Sequence, residues 1–273
     1  MIEAGATLGQ VRLSLPLDPL ENRILLCHAL RLPRVALITQ AERVLTPEEA
    51  ALLAALVRRR LDGEPIAYIV GEREFFGLPF KVTPAVLIPR PDTELLVELA
   101  LERLAPQQRV LDMGTGSGAI AVALAHTRTD ADVTALDVSE EALAVARANA
   151  EANGARVRFL RSDWYAALGD ERFDLIVSNP PYIVAGDRHL DEGDLRFEPI
   201  DALTDHADGL SDLRTIAAGA AAHLEPGGWL LLEHGYDQAG AVRDLLKARG
   251  YDEVQSWRDL AGIERVSAGR RGA

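Results

Sequence analysis

Apolar positions recur along this chain first at helical spacing and later in alternating helix and strand patterns. Near the start, Leu20, Ile24, Leu25, Cys27 and His28 follow Asp18-Pro19, a capping acid and a first-turn proline that together open a helix. Thr46-Pro47 repeats that signal, with Glu48 and Glu49 where the helix dipole favours acids. Leu52, Leu53, Leu56, Val57 and Leu61 then form one apolar stripe expected to face a core, with Arg58-Arg59-Arg60 on a solvated face. Cys27, inside an apolar helix, is expected to be a buried small side chain. The pattern predicts a helical domain over residues 1–75. Phe75-Phe76-Gly77-Leu78-Pro79-Phe80, followed by Val82, Val86, Leu87 and Ile88, predicts a hairpin and connector, with the connecting segment placed at 76–91. From 92 onward strands are expected near 109–113, 132–137, 156–160, 173–178, 228–233, 251–257 and 263–268. Helices are expected near 92–104, 118–126, 139–153, 210–224 and 237–249. Such alternation predicts an α/β domain over 92–273, a parallel sheet with helices on both faces.

Length and charge narrow the classes. At 273 residues with 48% apolar and 26% charged side chains, the chain fits two ordered domains. Its net charge of −13 argues against a non-specific nucleic-acid or anionic-membrane binder, whose affinity comes from Lys and Arg on phosphates. That charge is uneven: residues 1–75 carry 9 basic and 10 acidic side chains, and the remainder carries −12. Nine acids fall within 187–212 against Arg188 and Arg196, in the longest stretch without an evident strand. Long loops of this kind in compact domains are often functional. The single cysteine excludes an intramolecular disulfide and a Cys-rich zinc site, and it suits a reducing compartment. With no signal-peptide pattern and no apolar run of about 18 residues, the expectation is a soluble cytoplasmic protein.

Two motifs carry chemistry. Val110-Leu111-Asp112-Met113 runs as a buried strand into Gly114-Thr115-Gly116-Ser117-Gly118 and then a helix. Glycines there allow a tight turn and let backbone N–H groups approach a ligand. Asp137 ends the next strand, where a carboxylate can accept from both hydroxyls of a ribose. The unit binds a nucleoside, and a nicotinamide dinucleotide competes as its identity. The second motif is Asn179-Pro180-Pro181-Tyr182, at the end of the strand Phe173–Ser178 and therefore at the ligand crevice of an open α/β sheet. The prolines remove two N–H donors and leave carbonyl acceptors. Asn179 adds a side-chain carbonyl and Tyr182 a ring face. This set suits a planar group bearing an NH2, held by two acceptors while its plane stacks on a ring.

Glycine loop, second-strand acid and Asn-Pro-Pro-Tyr together resemble the class I methyltransferases that modify planar nitrogens. Nearly the whole chain resembles the protein-(glutamine-N5) methyltransferases that act on peptide chain release factors. That resemblance rests on Ile88-Pro89-Arg90-Pro91-Asp92-Thr93-Glu94, the glycine loop, Ser162-Asp163-Trp164, Asn179-Pro180-Pro181-Tyr182, Arg196-Phe197-Glu198-Pro199 and Leu232-Glu233-His234-Gly235, with Asp259–Arg265 as a late addition. It implies a Rossmann-like sheet with a small N-terminal helical domain that docks substrate, and S-adenosylmethionine as cofactor. It also implies methylation of the glutamine in the Gly-Gly-Gln motif of class I release factors. Gly114, Thr115, Gly116, Ser117 and Gly118 would then line the methionine end of the cofactor, Asp137 its ribose and Trp164 its adenine. Asn179 would touch cofactor and substrate. Asn179, Pro180, Pro181 and Tyr182 would receive the amide, with Asn179, Pro180 and Tyr182 as the catalytic set. Asp112 would meet the methionine ammonium or support the loop, and Arg90 would anchor a carboxylate or form a structural ion pair. His234 stays outside the catalytic set. No metal is implied. An adenine-N6 methyltransferase is the nearest alternative, opposed by the acidic 187–212 segment and the charge of −12. A non-catalytic adenosylmethionine-binding scaffold is the other, opposed by the intact amide receptor.

Overall fold

The computed structural model describes residues 5–272, and these divide into two compact units after Gly71. The first unit holds helices α1 (Leu8–Ser14), α2 (Pro19–Leu30), α3 (Ala36–Thr39), α4 (Pro47–Leu61) and α5 (Ile66–Val70). Asp18 caps α2 through Leu20 N, and Thr46 and Glu49 form a reciprocal capping box on α4. Leu8, Leu25, Leu26, Leu37 and Leu53 are fully buried in its core. The α4 stripe is narrower than expected, because Leu52 and Leu61 are exposed. Leu53, Leu56 and Val57 fill the buried face, and Leu52, about 100° round the helix from Leu53, falls outside it. Cys27 is half-buried rather than buried. Within the arginine run, Arg59 pairs with Glu64 and Arg60 with Glu21.

The second unit begins at Glu72, with the hairpin β1 (Glu72–Phe75) and β2 (Leu78–Lys81). Phe76 and Gly77 both take left-handed backbone (φ 53° and 73°), as the tight turn between twisted strands requires. Phe75 and Phe80 are buried edge-to-face with centroids 5.9 Å apart, which ties this hairpin to the core around Leu96, Val97 and Leu124.

Seven strands form the main sheet: β3 (Arg109–Met113), β4 (Asp132–Asp137), β5 (Val157–Arg161), β6 (Phe173–Ser178), β7 (Leu224–Glu233), β8 (Tyr251–Arg258) and β9 (Glu264–Arg271). Their order is β5-β4-β3-β6-β7-β9-β8. All neighbours are parallel except at β9, which runs antiparallel to β7 and β8. The sheet is thus mostly parallel, as expected, with β9 as its antiparallel member, because the short turn after Arg258 is too brief for a parallel crossover. Helices α6 (Glu94–Arg103), α7 (Ala119–Thr127), α8 (Glu140–Ala152), α9 (Ser211–His223) and α10 (Ala239–Ala248) flank the sheet. Alternate strand residues feed two cores. Val110, Val133 and Leu175 join Leu96, Val97 and Leu124 in one; Leu111, Ile176 and Leu230 join Leu213, Ile216, Val242 and Leu246 in the other. Strand order reverses between β3 and β6, and the register pairs Met113 with Ser178. The glycine loop and the Asn-Pro-Pro-Tyr turn therefore leave the sheet side by side at its switch point.

Candidate active site

Where β3 ends, Gly114, Gly116 and Gly118 all adopt left-handed backbone. The Gly114 and Thr115 N–H groups both donate to Leu136 O, at 3.0 and 2.9 Å, which curls the loop over the end of β4. Gly118 begins α7, and a Cβ there would stand 3.0 Å from Ala146 Cβ, so glycine lets α7 close onto α8. A Cβ on Gly116 would meet nothing, leaving open space above the loop.

Two carboxylates support this turn. Asp137 accepts from Gly116 N and Ser139 N, each at 2.9 Å, and burial raises its pKa against those hydrogen bonds. Asp112 is fully buried; its Oδ2 accepts from Thr115 Oγ1 at 2.6 Å and Ala121 N at 3.2 Å, while Oδ1 has no partner. Burial pushes the Asp112 carboxyl up to about 7. After β5, Ser162 N donates to Asp137 O, and the Ser162 hydroxyl donates to Trp164 O at 2.7 Å. These bonds hold Trp164 in left-handed backbone (φ 44°), with its ring near Gly114.

Ser178 Oγ donates to Met113 O at 2.7 Å and locks the two strand ends together. Beyond it, Asn179 Nδ2 donates to Thr93 Oγ1 at 3.2 Å. Tyr182 O accepts from Gln238 Nε2 at 3.0 Å, and burial beside Glu233 raises its phenol pKa. Arg90 forms an ion pair with buried Glu198, whose other oxygen accepts from Ile88 N at 3.0 Å. That pair fastens the 84–93 connector to the acidic segment. The segment is itself built of short 3-10 turns at Arg188–Asp191, Leu195–Phe197 and Ile200–Ala202. His234 is buried, with Nε2 2.8 Å from Ser267 Oγ, and burial lowers its pKa.

A cavity of about 450 Å3 opens at this junction. Of the residues expected from sequence, Gly114, Gly116, Asp137, Trp164, Asn179 and Pro181 line it together. Thr115, Ser117, Gly118, Pro180 and Tyr182 do not. The Thr115 hydroxyl turns inward to Asp112, the Ser117 carbonyl accepts from Asn149 Nδ2 at 2.8 Å, and Pro180 is buried. Sequence reading missed the wall made by Pro84–Leu87 with Pro199, Asp201 and Ala202. Thr93 and Glu233 lie in motifs that carry the resemblance, but sequence reading assigned them no role beside Asn179, because neither position has a periodic signal of its own. Asp137, Glu141, Asp163, Asp201 and Asp212 face the cavity with no Lys or Arg among its lining residues. Five carboxylates favour a cationic ligand and oppose the pyrophosphate of a dinucleotide. The residues present thus fit a nucleoside bearing a positive charge.

This sheet order and crevice define a class I methyltransferase. Residues 91–193 match the methyltransferase small domain, and residues 4–71 match the PrmC N-terminal domain. A release factor glutamine methyltransferase of Burkholderia pseudomallei is 57% identical over 97% of this chain and 96% of its own length. One of Bordetella pertussis is 56% identical over 93% and 95%. The solved T. thermophilus 16S rRNA N2 methyltransferase, in complex with AdoMet and guanosine, superposes with a TM-score of 0.55 at 26% identity, covering 73% of this chain and 49% of that one. The chain belongs to the release factor glutamine methyltransferase family.

Proposed function

We propose that this protein transfers a methyl group from S-adenosylmethionine to the side-chain amide nitrogen of the glutamine in the Gly-Gly-Gln motif of class I release factors. One observation carries the reading: Asn179 and Pro181 share a single cavity with the glycine loop and five carboxylates. When bound, S-adenosylmethionine supplies a methyl group already activated by its sulfonium. The remaining difficulty is the amide nitrogen, whose lone pair is delocalised into its carbonyl. Asn179 Oδ1 and the Pro180 carbonyl accept the two amide hydrogens, and the Tyr182 ring supports the amide plane. Together they aim the nitrogen and stabilise the positive charge that develops on it. Asp137 holds the ribose with the lone pairs its backbone partners leave free. Trp164 would flank the adenine, and Gly114 and Gly116, the loop residues that line the cavity, would hold the methionine end.

The helical unit grips the release factor, and the acidic segment steers basic residues beside the target loop. No direct nucleic-acid binding is expected, since carboxylates line the cavity. Among the described residues no helix is long and apolar enough to cross a membrane, and a translation-factor substrate suits the cytoplasm. Incubating the protein with methyl-labelled adenosylmethionine and a release factor, then locating the label by mass spectrometry, tests the reading. Label on the Gly-Gly-Gln glutamine is the expected result; label elsewhere, or on added nucleic acid, overturns it.

A further inference from the structure

Asn179 is held from behind by two residues of other elements. Thr93, immediately before α6, accepts from its Nδ2, and the buried Glu233 carboxyl sits beside both Thr93 and Asn179, whose polar hydrogens favour its charge. Glu233 ends β7 directly after Leu232, the register partner of Ser178, so the sheet itself sets it beside Asn179. Thr93 and Glu233 are 4% and 1% exposed, and Glu233 Oε2 has no hydrogen-bond partner. The nearby cation, Arg265, is engaged by Asp259 at 3.0 Å and Asp92 at 3.7 Å. A buried carboxyl without a dedicated ion pair is destabilising, and a glutamine could make the same contacts without that penalty. The charge therefore calls for a role beyond packing.

Donor and acceptor chemistry supplies one. An ionised carboxylate only accepts, so it must face the Asn179 NH2 and turn Oδ1 away from itself. The Thr93 hydroxyl accepts from Nδ2 with a lone pair, which leaves its one hydrogen free to turn toward the carboxylate. A protonated acid or a glutamine can instead donate to Oδ1. Asn179 could then flip and present its NH2 to the NH2 of a substrate amide, donor against donor. We propose that Glu233 and Thr93 form an acceptor-only clamp that fixes the Asn179 amide with Oδ1 toward the substrate. Both are positioning residues, and the clamp rests on the reading of Asn179 as amide receptor.

The clamp couples transfer to pH. Burial pushes the Glu233 carboxyl up to about 7; Asp92 opposes its ionisation, while Arg265 and the hydrogen bonds from Thr93 and Asn179 favour it. The other titratable groups at this junction are the Tyr182 phenol, which stays protonated, Arg90 beside it, and His234, whose imidazole burial pushes down. An amide substrate does not titrate, and the other buried carboxyl pushed up to about 7 is Asp112 under the glycine loop; a rate rise through neutrality that Glu233→Gln abolishes therefore reports the clamp.

The test uses the full-length protein with Glu233→Gln, Thr93→Val and Thr93→Ser. Single-turnover transfer to a Gly-Gly-Gln peptide is measured at saturating adenosylmethionine from about pH 6 to about pH 8.5, with calorimetric cofactor binding and thermal midpoints alongside. Glu233→Gln is expected to lose about tenfold or more in transfer rate, to flatten the pH profile and to keep cofactor affinity. Its thermal midpoint should equal or exceed that of the parent at alkaline pH. Thr93→Ser should retain the rate and Thr93→Val lose it. A parental rate or an intact acid limb in Glu233→Gln overturns the clamp, as does a lowered midpoint, which would assign the carboxyl to the fold. Asn179→Ala run in parallel separates the two readings: parental transfer there defeats the receptor, whereas loss there with a parental Glu233→Gln defeats only the clamp.

Discussion

Asp137 Oδ2 accepts the Gly116 N–H at 2.9 Å, joining the end of β4 to the glycine loop that follows β3. One carboxylate thus shapes the loop and faces the cavity. Asp137→Ala should weaken adenosylmethionine binding by about 1–3 kcal/mol, the scale of losing charged hydrogen bonds. Titration calorimetry on the folded variant measures it, and unchanged affinity removes Asp137 from the ribose site.

Loop glycines separate into two kinds. Gly118→Ala places a methyl 3.0 Å from Ala146 Cβ at a φ of +82° and should lower stability by about 1–3 kcal/mol, because α7 must shift from α8. Gly116→Ala meets open space, so backbone strain of about 1–2 kcal/mol is its only structural penalty. Its main effect should be weaker cofactor binding. Urea melts paired with calorimetry distinguish them; equal stability losses would contradict the packing role of Gly118.

Asn179→Ala should abolish most transfer while the protein stays folded, with at most a modest loss of cofactor affinity. Asn179→Asp keeps an acceptor but adds a charge beside the substrate carbonyl and beside Glu233, and should also transfer poorly. Single-turnover rates at saturating cofactor check both. Near-parental rates would defeat the receptor role.

The Asp112 carboxyl is pushed up to about 7 by burial, against the hydrogen bonds from Thr115 and Ala121. A raised carboxyl contributes stability that is fully present below its unfolded pKa and is lost as pH rises through its folded one. Unfolding free energy should therefore fall between about pH 4 and about pH 7, more steeply in the parent than in Asp112→Asn. Denaturant melts across that range provide the measurement; parallel profiles would mean that the Asp112 charge is compensated in the fold.

A chain beginning at Glu72 should retain some adenosylmethionine binding, since the cavity lining lies wholly beyond that point. It should lose kcat/KM on an intact release factor and much less on a short Gly-Gly-Gln peptide. Circular dichroism comes first, to establish that the shortened chain is folded. Full-length rates on the intact protein would remove the helical unit from docking.

Local features were legible in the chain because their causes are local. Asp18 and Thr46 cap helices through neighbours two or three residues on, and the glycines after Met113 are dictated by backbone that only glycine adopts readily. The apolar runs Val110–Met113 and Phe173–Ser178 read as strands because both faces are covered. Tertiary structure alone decided how those pieces meet. The same apolar periodicity allows β9 to run either way; the short turn after Arg258 and its pairing between β7 and β8 set it antiparallel. Which of two adjacent leucines, Leu52 or Leu53, enters the core depends on the helices around α4. Glu233 and Thr93 stood in motifs of the resemblance without a role of their own. Strand register and the start of α6 bring both to Asn179, and that long-range pairing leaves no periodic trace in the sequence.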